Sequence, residues 1–282
     1  MSSSLYFSSM RLLDLATLTS LVSALPRFGR FSYFASVGST NAVAVERLYH
    51  NDSFGISFVT ESQTQGRGRA GRSWESPAGS GIYLSTILPA ELPGRALPGV
   101  GFWAALAVRE ACLRETGVAL DLKWPNDLLW SGRKCVGILA QGRSLADGAR
   151  VALGVGINVN RPAQIPDSIA ATACWLSDAG GREFDRTTLL ATLLSIYERD
   201  FDRLLSDSEQ VIADWARVAN LEGKQVSVKS IAGGLLHEGT VQAIGPDGAL
   251  VLQSRAGVVS VRLGDVDVLS QHTRHDSEGK RS

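Results

Sequence analysis

The sequence has no excess of charge of either sign, because its 28 lysines and arginines are balanced by 28 aspartates and glutamates. A general nucleic-acid-binding protein is usually basic, so any contact with a polyanion must be local rather than spread over the surface. Global disorder is not expected either, since 44% of the 282 residues are hydrophobic and can form a packed core. A chain of this length allows one large domain and a smaller one.

Cysteine is scarce, and the three residues Cys112, Cys135 and Cys174 are far apart and odd in number. Their spacing fits neither a metal site nor a disulfide framework, which favours a reducing compartment. We therefore expect a cytoplasmic protein in which each cysteine is a small buried hydrophobic residue.

Long apolar runs are also missing, since none approaches the roughly 20 residues of a membrane span, and we expect no membrane partner. The N-terminal segment, residues 1–30, is rich in serine and has several arginines but a single acid, Asp14. That composition is typical of a transit peptide. A short amphipathic helix over residues 10–25 accounts for the same residues and is the interpretation we prefer.

What the sequence does have is a stretch rich in both glycine and arginine, QTQGRGRAGRSW at positions 63–74. Its glycines let backbone N–H groups approach a ligand closely, and its arginines offer charged forks that fit phosphate or carboxylate. Strand-like runs at residues 55–60 and 81–88 flank the stretch, so we predict an anchored loop that encloses an anion. A solvated basic turn or an RNA-binding patch stays open at this point, because short Gly/Arg patterns are weak signals.

A second charged cluster, KWPND at positions 123–127, follows a strand-like run. Proline ends that strand, so Asn126 and Asp127 lie on a turn where sites often form. The Asp127 carboxylate can hold Mg²⁺ together with a nucleotide's phosphates. Lys134 begins an apolar strand and can neutralise a carboxylate and then a transferring phosphoryl group. The alternative is ordinary turn chemistry with solvent-facing lysines.

Hydrophobic periodicity predicts the other elements. We expect strands at residues 31–34, 136–140 and 151–159, and helices at residues 42–49, 100–117, 187–205 and 211–218. After residue 223, four or five short alternating runs separated by turns predict a small antiparallel barrel. Gly154 and Gly156 lie inside a predicted strand, which indicates close approach by a ligand or by another part of the chain.

Together these motifs resemble those of the bacterial biotin protein ligases. The matching segments, in order, are residues 39–41, 66–74, 123–127, 132–139 and 153–160. Each motif is weak alone, but five in one order make the match specific, and it runs from about residue 31 to the end of the chain. The resemblance implies an α+β fold like that of class II aminoacyl-tRNA synthetases, a mixed and mainly antiparallel sheet with helices on one side, followed by an SH3-like barrel. We expect a catalytic domain at residues 31–221, the SH3-like domain at residues 222–270 and a disordered tail at residues 271–282.

The reaction implied by the resemblance has two steps. Biotin's carboxylate attacks the α-phosphate of ATP with the help of Mg²⁺, giving biotinyl-5′-AMP and pyrophosphate. A lysine of a biotin carboxyl carrier protein or domain then takes the biotin and releases AMP. Relatives that bind DNA carry an N-terminal winged helix-turn-helix, for which the residues before Phe31 are too few, so we expect no DNA binding. Family members are monomers or dimers through the sheet edge, and a homodimer is one of the two expected states.

The family pattern also implies roles for individual residues. The expected biotin-binding residues are Ser39, Thr40, Asn41, Gln63, Gly66, Arg67, Lys134, Gly137, Gly154 and Gly156. The expected ATP-binding residues are Arg69, Arg72, Trp74, Lys123, Asn126, Asp127, Lys134 and Asn158. We expect Lys134, Arg69 and Arg67 to be catalytic, with Asp127 as the Mg²⁺ ligand. In relatives an arginine near the end of the last strand reaches the nucleotide, but residues 264–270 here contain none, so either Arg262 substitutes or the C-terminal domain contributes less.

Two competing functions remain. Lipoate ligases and octanoyltransferases share the implied fold but do not usually show the Gly-Arg-Gly-Arg loop. A non-enzymatic biotin-sensing regulator or a nucleic-acid-binding module belongs to another class. A thermal-shift comparison of biotin with lipoate distinguishes a biotin ligase from the lipoate-ligase and octanoyltransferase alternative. A gel shift at physiological salt tests for nucleic-acid binding.

Overall fold

The computed structural model of the protein describes residues 12–230 and 233–269, so the predicted tail at residues 271–282 lies outside the described residues. The helices are α1 Leu15–Val22, α2 Thr40–Arg47, α3 Val100–Thr116, α4 Leu176–Gly180, α5 Arg186–Ser206 and α6 Ser208–Ala219. The strands are β1 Arg30–Phe34, β2 Ile56–Thr60, β3 Gly81–Ile87, β4 Leu92–Pro93, β5 Asp121–Lys123, β6 Asp127–Trp130, β7 Arg133–Leu145, β8 Gly148–Asn158, β9 Gln225–Lys229, β10 Leu235–Ile244, β11 Leu250–Ser254, β12 Gly257–Val261 and β13 Asp265–Val268.

The main sheet has eight strands in the order β1-β2-β3-β8-β7-β6-β5, with β4 paired to β8. Only the β1–β2 pair is parallel within this sheet, and the other pairs are antiparallel. The predicted mixed, mainly antiparallel sheet is therefore confirmed. The long β7–β8 hairpin forms its centre and places Gly137 opposite Gly156.

Helices lie on both faces of this sheet, which corrects the expectation that they would share one side. Phe58 and Ala152 pack against Leu48 at the end of α2 in a small apolar cluster. Their strand neighbours Val59 and Leu153 belong to the main core, which contains α3 and α5. Because successive side chains of a strand point to opposite faces, α2 must lie on the face opposite to the long helices.

The helix α3 ends where the sequence predicts, because Gly117 takes a left-handed conformation with φ of 73°. Within the described residues, the helical stretch Gly94–Thr116 has the length and mean hydropathy of a membrane span. The sequence analysis predicted a helix at residues 100–117 but no apolar stretch of this length. Since 61% of its most apolar window is buried inside the fold, packing in the core accounts for its apolar residues.

The described part of the N-terminal segment, residues 12–30, packs onto the core. The side chain of Asp14 caps α1 by accepting a hydrogen bond from the backbone N–H of Thr17, and Leu18 and Val22 are fully buried. The described helix is shorter than the predicted range of residues 10–25, because it begins only after this cap; residues 10 and 11 lie outside the described part of the chain.

The C-terminal strands form a separate five-stranded antiparallel sheet in the order β12-β11-β10-β9-β13. The small antiparallel β-structure predicted after residue 223 is therefore present. The indole Nε1 of Trp124 donates a buried hydrogen bond of 3.0 Å to the carbonyl of Gly248, which joins this sheet to the end of β5. Buried residues of both sheets belong to one continuous apolar core.

Candidate active site

The glycine- and arginine-rich stretch forms a hairpin-like loop that we call the ligand loop, residues 63–74. The backbone of Gly66 accepts a hydrogen bond from the N–H of Trp74 at 2.9 Å, and Gly68 N–H donates to the carbonyl of Arg72 at 2.7 Å. At its tip Ala70 and Gly71 have positive φ angles of 54° and 77°. The predicted anchored loop is thus present, and it lies beside the α2 face of the main sheet.

The ligand loop borders a cavity of about 430 Å³ that we call the first lobe. The expected biotin-binding residues that line it are Thr40, Gln63, Arg67, Lys134, Gly137, Gly154 and Gly156. Leu139 and Trp74 also line it, whereas Leu84, Ile138 and Val155 border it from strands whose alternation directs their side chains into the main core. A mainly apolar cavity with a few convergent polar groups is the usual form of a small-molecule site.

A polar cluster lies on the wall of the first lobe. The Gln63 side-chain oxygen accepts hydrogen bonds from the N–H of Thr40 at 2.9 Å and from its hydroxyl at 3.2 Å. The hydroxyls of Thr40 and Ser85 are 2.9 Å apart and hydrogen-bonded. The Gln63 amide nitrogen donates to the Ser76 hydroxyl at 2.9 Å, which fixes the orientation of the amide.

A second cavity of about 730 Å³, the second lobe, adjoins the first. It is lined by Glu75 and by two of the residues expected to bind ATP, Arg72 and Asn158. The two lobes share five lining residues, Gly68, Arg69, Trp74, Asn126 and Lys134. The expected ATP-binding and biotin-binding residues therefore meet at one junction.

Four contacts of charged or polar side chains organise that junction. The Lys134 ammonium lies 2.8 Å from a carboxylate oxygen of Asp127 and 5.4 Å from the ring centroid of Trp74. Arg69 donates to the side-chain oxygen of Asn126 at 2.8 Å, while the Asn126 amide donates to the carbonyl of Ile138. Burial lowers the pKa of the Arg69 guanidinium, and nearby carboxylates, Asp127 among them, oppose that shift.

The strand glycines make room for protein side chains. A Cβ atom on Gly156 would lie 2.4 Å from the Trp74 indole, and one on Gly137 would lie 2.6 Å from the same ring. A Cβ atom on Gly154 would lie 2.9 Å from the amide nitrogen of Asn41. Of the two readings left open for Gly154 and Gly156, the structure shows close approach by another part of the chain, although both glycines also line the first lobe.

Five of the predicted residues are not among those that line either lobe. Ser39 caps α2. Gly66 allows the two arms of the ligand loop to approach closely, since a Cβ atom there would lie 2.2 Å from the carbonyl oxygen of Trp74. Asn41 is buried behind Gly154, and Asp127 reaches the junction only through Lys134. Lys123 forms an ion pair with Asp267 of β13 at 3.1 Å, so a contact with nucleotide would require that pair to open.

Several lining residues were not singled out from the sequence. Ser85 lies directly across from Gly154 in the β3–β8 register, and a lone serine in an apolar strand is the signal that could have found it. Ile169, Thr172 and Ala173 line the second lobe from the segment between β8 and α4, which has no recognisable motif. The three cysteines are buried and unpaired, as expected for small core residues.

Comparisons with known proteins point to one family. Residues 33–158 match the sequence profile of the biotin/lipoate A/B protein ligase family. The bifunctional ligase/repressor BirA of Bacillus subtilis is 31% identical over 239 residues, which cover 84% of this chain and 73% of that protein. The biotin--[acetyl-CoA-carboxylase] ligase of Mycobacterium tuberculosis is 34% identical over 82% of this chain and 86% of its own. The biotin protein ligase of Aquifex aeolicus in complex with biotin and ATP superposes with a TM-score of 0.70 at 27% identity, covering 85% of this chain and 98% of that one.

Proposed function

The chain belongs to the biotin/lipoate A/B protein ligase family, and we propose that its two lobes join biotin to ATP and then pass biotin to a lysine of a carrier domain. Its activity is that of an ATP-dependent biotin protein ligase. The observation that carries the assignment of the lobes is their junction, where Lys134, Arg69 and Asn126 border both cavities. Incubation with ATP, Mg²⁺, biotin and a biotin carboxyl carrier domain, read out by mass, tests it: the carrier should gain one biotinyl group only when ATP is present.

We assign biotin to the first lobe. Its bicyclic ureido head needs hydrogen-bond donors and acceptors, which the hydroxyls of Thr40 and Ser85 and the amide of Gln63 supply on one wall. Its alkyl tail needs an apolar lining, which Leu139 and the Trp74 ring provide. The carboxylate at the end of the tail would then reach Lys134 at the junction.

We assign ATP to the second lobe, where Arg69, Arg72 and Lys134 supply positive charge and Asn158 a polar contact. Two anions repel each other, so joining them requires cations at the junction. In the first step a carboxylate oxygen of biotin forms a bond to the α-phosphorus, and the bond from that phosphorus to the pyrophosphate oxygen breaks. Fixed positive groups stabilise the charge that develops on the phosphoryl oxygens, and no covalent enzyme intermediate is needed.

The residues at the junction fit a magnesium ion that arrives with the nucleotide. Mg²⁺ is commonly bound by one or two carboxylates together with substrate phosphates. Within the described ranges no group of three or more His, Cys, Asp or Glu residues forms an all-protein cage, whereas Asp127 lies beside Lys134 and Glu75 lines the second lobe. Asp127 would hold the ion once its pair with Lys134 opens, and the ion would neutralise phosphate charge when bound.

The positions of the lining residues also indicate which part of the chain forms the catalytic domain. Every residue that lines the two lobes lies between Thr40 and Ala173. We therefore propose that the catalytic domain is residues 31–221 and that the C-terminal domain, residues 222–270, acts from outside the lobes. The buried free thiols are consistent with a reducing, cytoplasmic location.

A specific test of the ligand loop is Arg69→Gly. This change removes the charged hydrogen bond to Asn126 and adds a flexible residue to the loop, so the loop should open more often. A hydrogen bond to a charged group contributes about 1.5 kcal/mol, which predicts roughly tenfold faster escape of biotinyl-AMP. The measurement is the rate at which preformed adenylate appears in solution. The control is Arg255→Gly, at an exposed turn of the C-terminal sheet; tight retention by Arg69→Gly would contradict the role of the loop.

The lipoate-ligase alternative is tested by specificity. The polar cluster of Thr40, Gln63 and Ser85 suits a ureido group, whereas the dithiolane ring of lipoate offers no comparable donors or acceptors. Biotin should therefore raise the thermal midpoint and lipoate should not. A larger shift with lipoate would reassign the first lobe.

A further inference from the structure

The C-terminal sheet contacts the catalytic domain next to the ligand loop. In addition to the bond between Trp124 and the carbonyl of Gly248, the ring of Phe102 packs so closely on Gly248 that a Cβ atom there would lie 2.6 Å away. On β13, Asp267 forms ion pairs with Lys123 at 3.1 Å and with Lys229 at 3.0 Å. The sheet therefore has a defined position relative to the site.

Side chains alternate between the two faces of strand β13, and two carboxylates lie on the same face. Val266 is buried with 3% of its surface exposed. Side chains two residues apart share a face, so Asp265 and Asp267 both point away from the interior of the sheet. Asp267 contacts the end of β5, and Asp265 contacts the ligand loop. Arg262, the residue considered as a substitute nucleotide contact, pairs instead with Asp247 of its own sheet.

Asp265 forms a bidentate ion pair with Arg72 of the ligand loop through both carboxylate oxygens. The two terminal nitrogens of Arg72 donate to them at 2.9 and 3.3 Å, across 193 residues of sequence. Within the described residues, the tip of the ligand loop has one other ionic or side-chain anchor on the rest of the protein, the bond from Arg69 to Asn126. A loop containing three glycines loses much conformational entropy on closing, so each anchor should favour the closed state.

We propose that Asp265 is a positioning residue that holds the ligand loop closed over the second lobe from the C-terminal sheet. This inference rests on the proposed function, because closure protects an adenylate from water. With this role the C-terminal domain needs no basic residue near the nucleotide, because the carboxylate of Asp265 restrains the ligand loop through its ion pair with Arg72. Asp265 acts through Arg72 and does not itself touch the substrates.

The test is the rate at which the Asp265→Asn variant releases preformed biotinyl-AMP, compared with the wild type. Biotin transfer to a carrier domain by the wild type is measured in parallel, as the test of the proposed function. A half-exposed ion pair predicts release about twofold to fivefold faster than in the wild type. Asp265→Glu should restore part of the retention, and raised salt should bring the wild type towards the variant. In the Arg72→Ala background the same change should add nothing. The matched control is Asp247→Asn, which removes an Asp–Arg pair within the C-terminal sheet and should release adenylate at the wild-type rate.

Several results would overturn the inference. Unchanged release by Asp265→Asn, or an additional effect in the Arg72→Ala background, would show that the ion pair does not restrain the loop. Slower release with a lower KM for ATP would show that the carboxylate competes with phosphate for Arg72. A wild type that transfers no biotin would refute the proposed function instead, so the two failures are distinguishable.

Discussion

Lys134→Ala should lower the rate of biotinyl-AMP formation by about a hundredfold to a thousandfold, the cost of removing one fixed group that stabilises transition-state charge. Lys134 borders both lobes and is paired with Asp127 at 2.8 Å. Its loss removes a positive charge from the place where two anions must meet. It also leaves the Asp127 carboxylate, 17% exposed, without that partner.

The measurement for this variant is pyrophosphate release with saturating biotin and ATP. Lys134→Arg keeps the charge but changes the position of the donors, so it should recover only part of the rate. Lys224→Ala, which removes a lysine outside both lobes, is the control. Near-normal pyrophosphate release by Lys134→Ala, in a protein with an unchanged thermal midpoint, would reject the assignment.

The family resemblance, carried by several short motifs in order, assigned Lys134 and Asn126 to the same ATP site. Asn126 precedes β6, which pairs with β7, and both residues border the two lobes. The C-terminal sheet was likewise predicted from turns and alternation alone. Hydrophobic periodicity and turn residues are local signals, so local patterns suffice for such elements.

The remaining features depend on tertiary contacts that no local pattern records. Residues 169–173, between β8 and α4, line the second lobe in part. The backbone of Lys134 positions them, because its N–H donates to the carbonyl of Thr172 at 2.7 Å. Asp265 was not singled out from the sequence, where only the lack of an arginine at residues 264–270 was noted, since a carboxylate in a sequence does not indicate which cation it will meet. The position of α2 opposite the long helices likewise follows from sheet topology, not from its own amphipathic pattern.

Gly156→Ala should lower kcat/KM for adenylation by about tenfold to a hundredfold, because overpacking typically costs 1–3 kcal/mol. The added Cβ atom would lie 2.4 Å from the Trp74 indole, closer than any real contact, so the ring must move. That ring forms a wall of both lobes and lies over the Lys134 ammonium. Its displacement should therefore raise the KM values for biotin and ATP together. Gly156 has an ordinary φ angle, so the strand itself tolerates alanine.

A matched control and a second substitution separate this steric effect from general damage. Gly142→Ala lies on the same hairpin, and its Cβ atom would meet its nearest neighbour at 3.5 Å, an ordinary contact, so its kinetics should stay normal. Trp74→Phe puts a smaller ring against the new methyl group, so it should recover activity in the Gly156→Ala background although it lowers activity alone. Such coupling is expected only between residues in contact. Wild-type KM values for Gly156→Ala would mean that the indole leaves this position when the substrates bind.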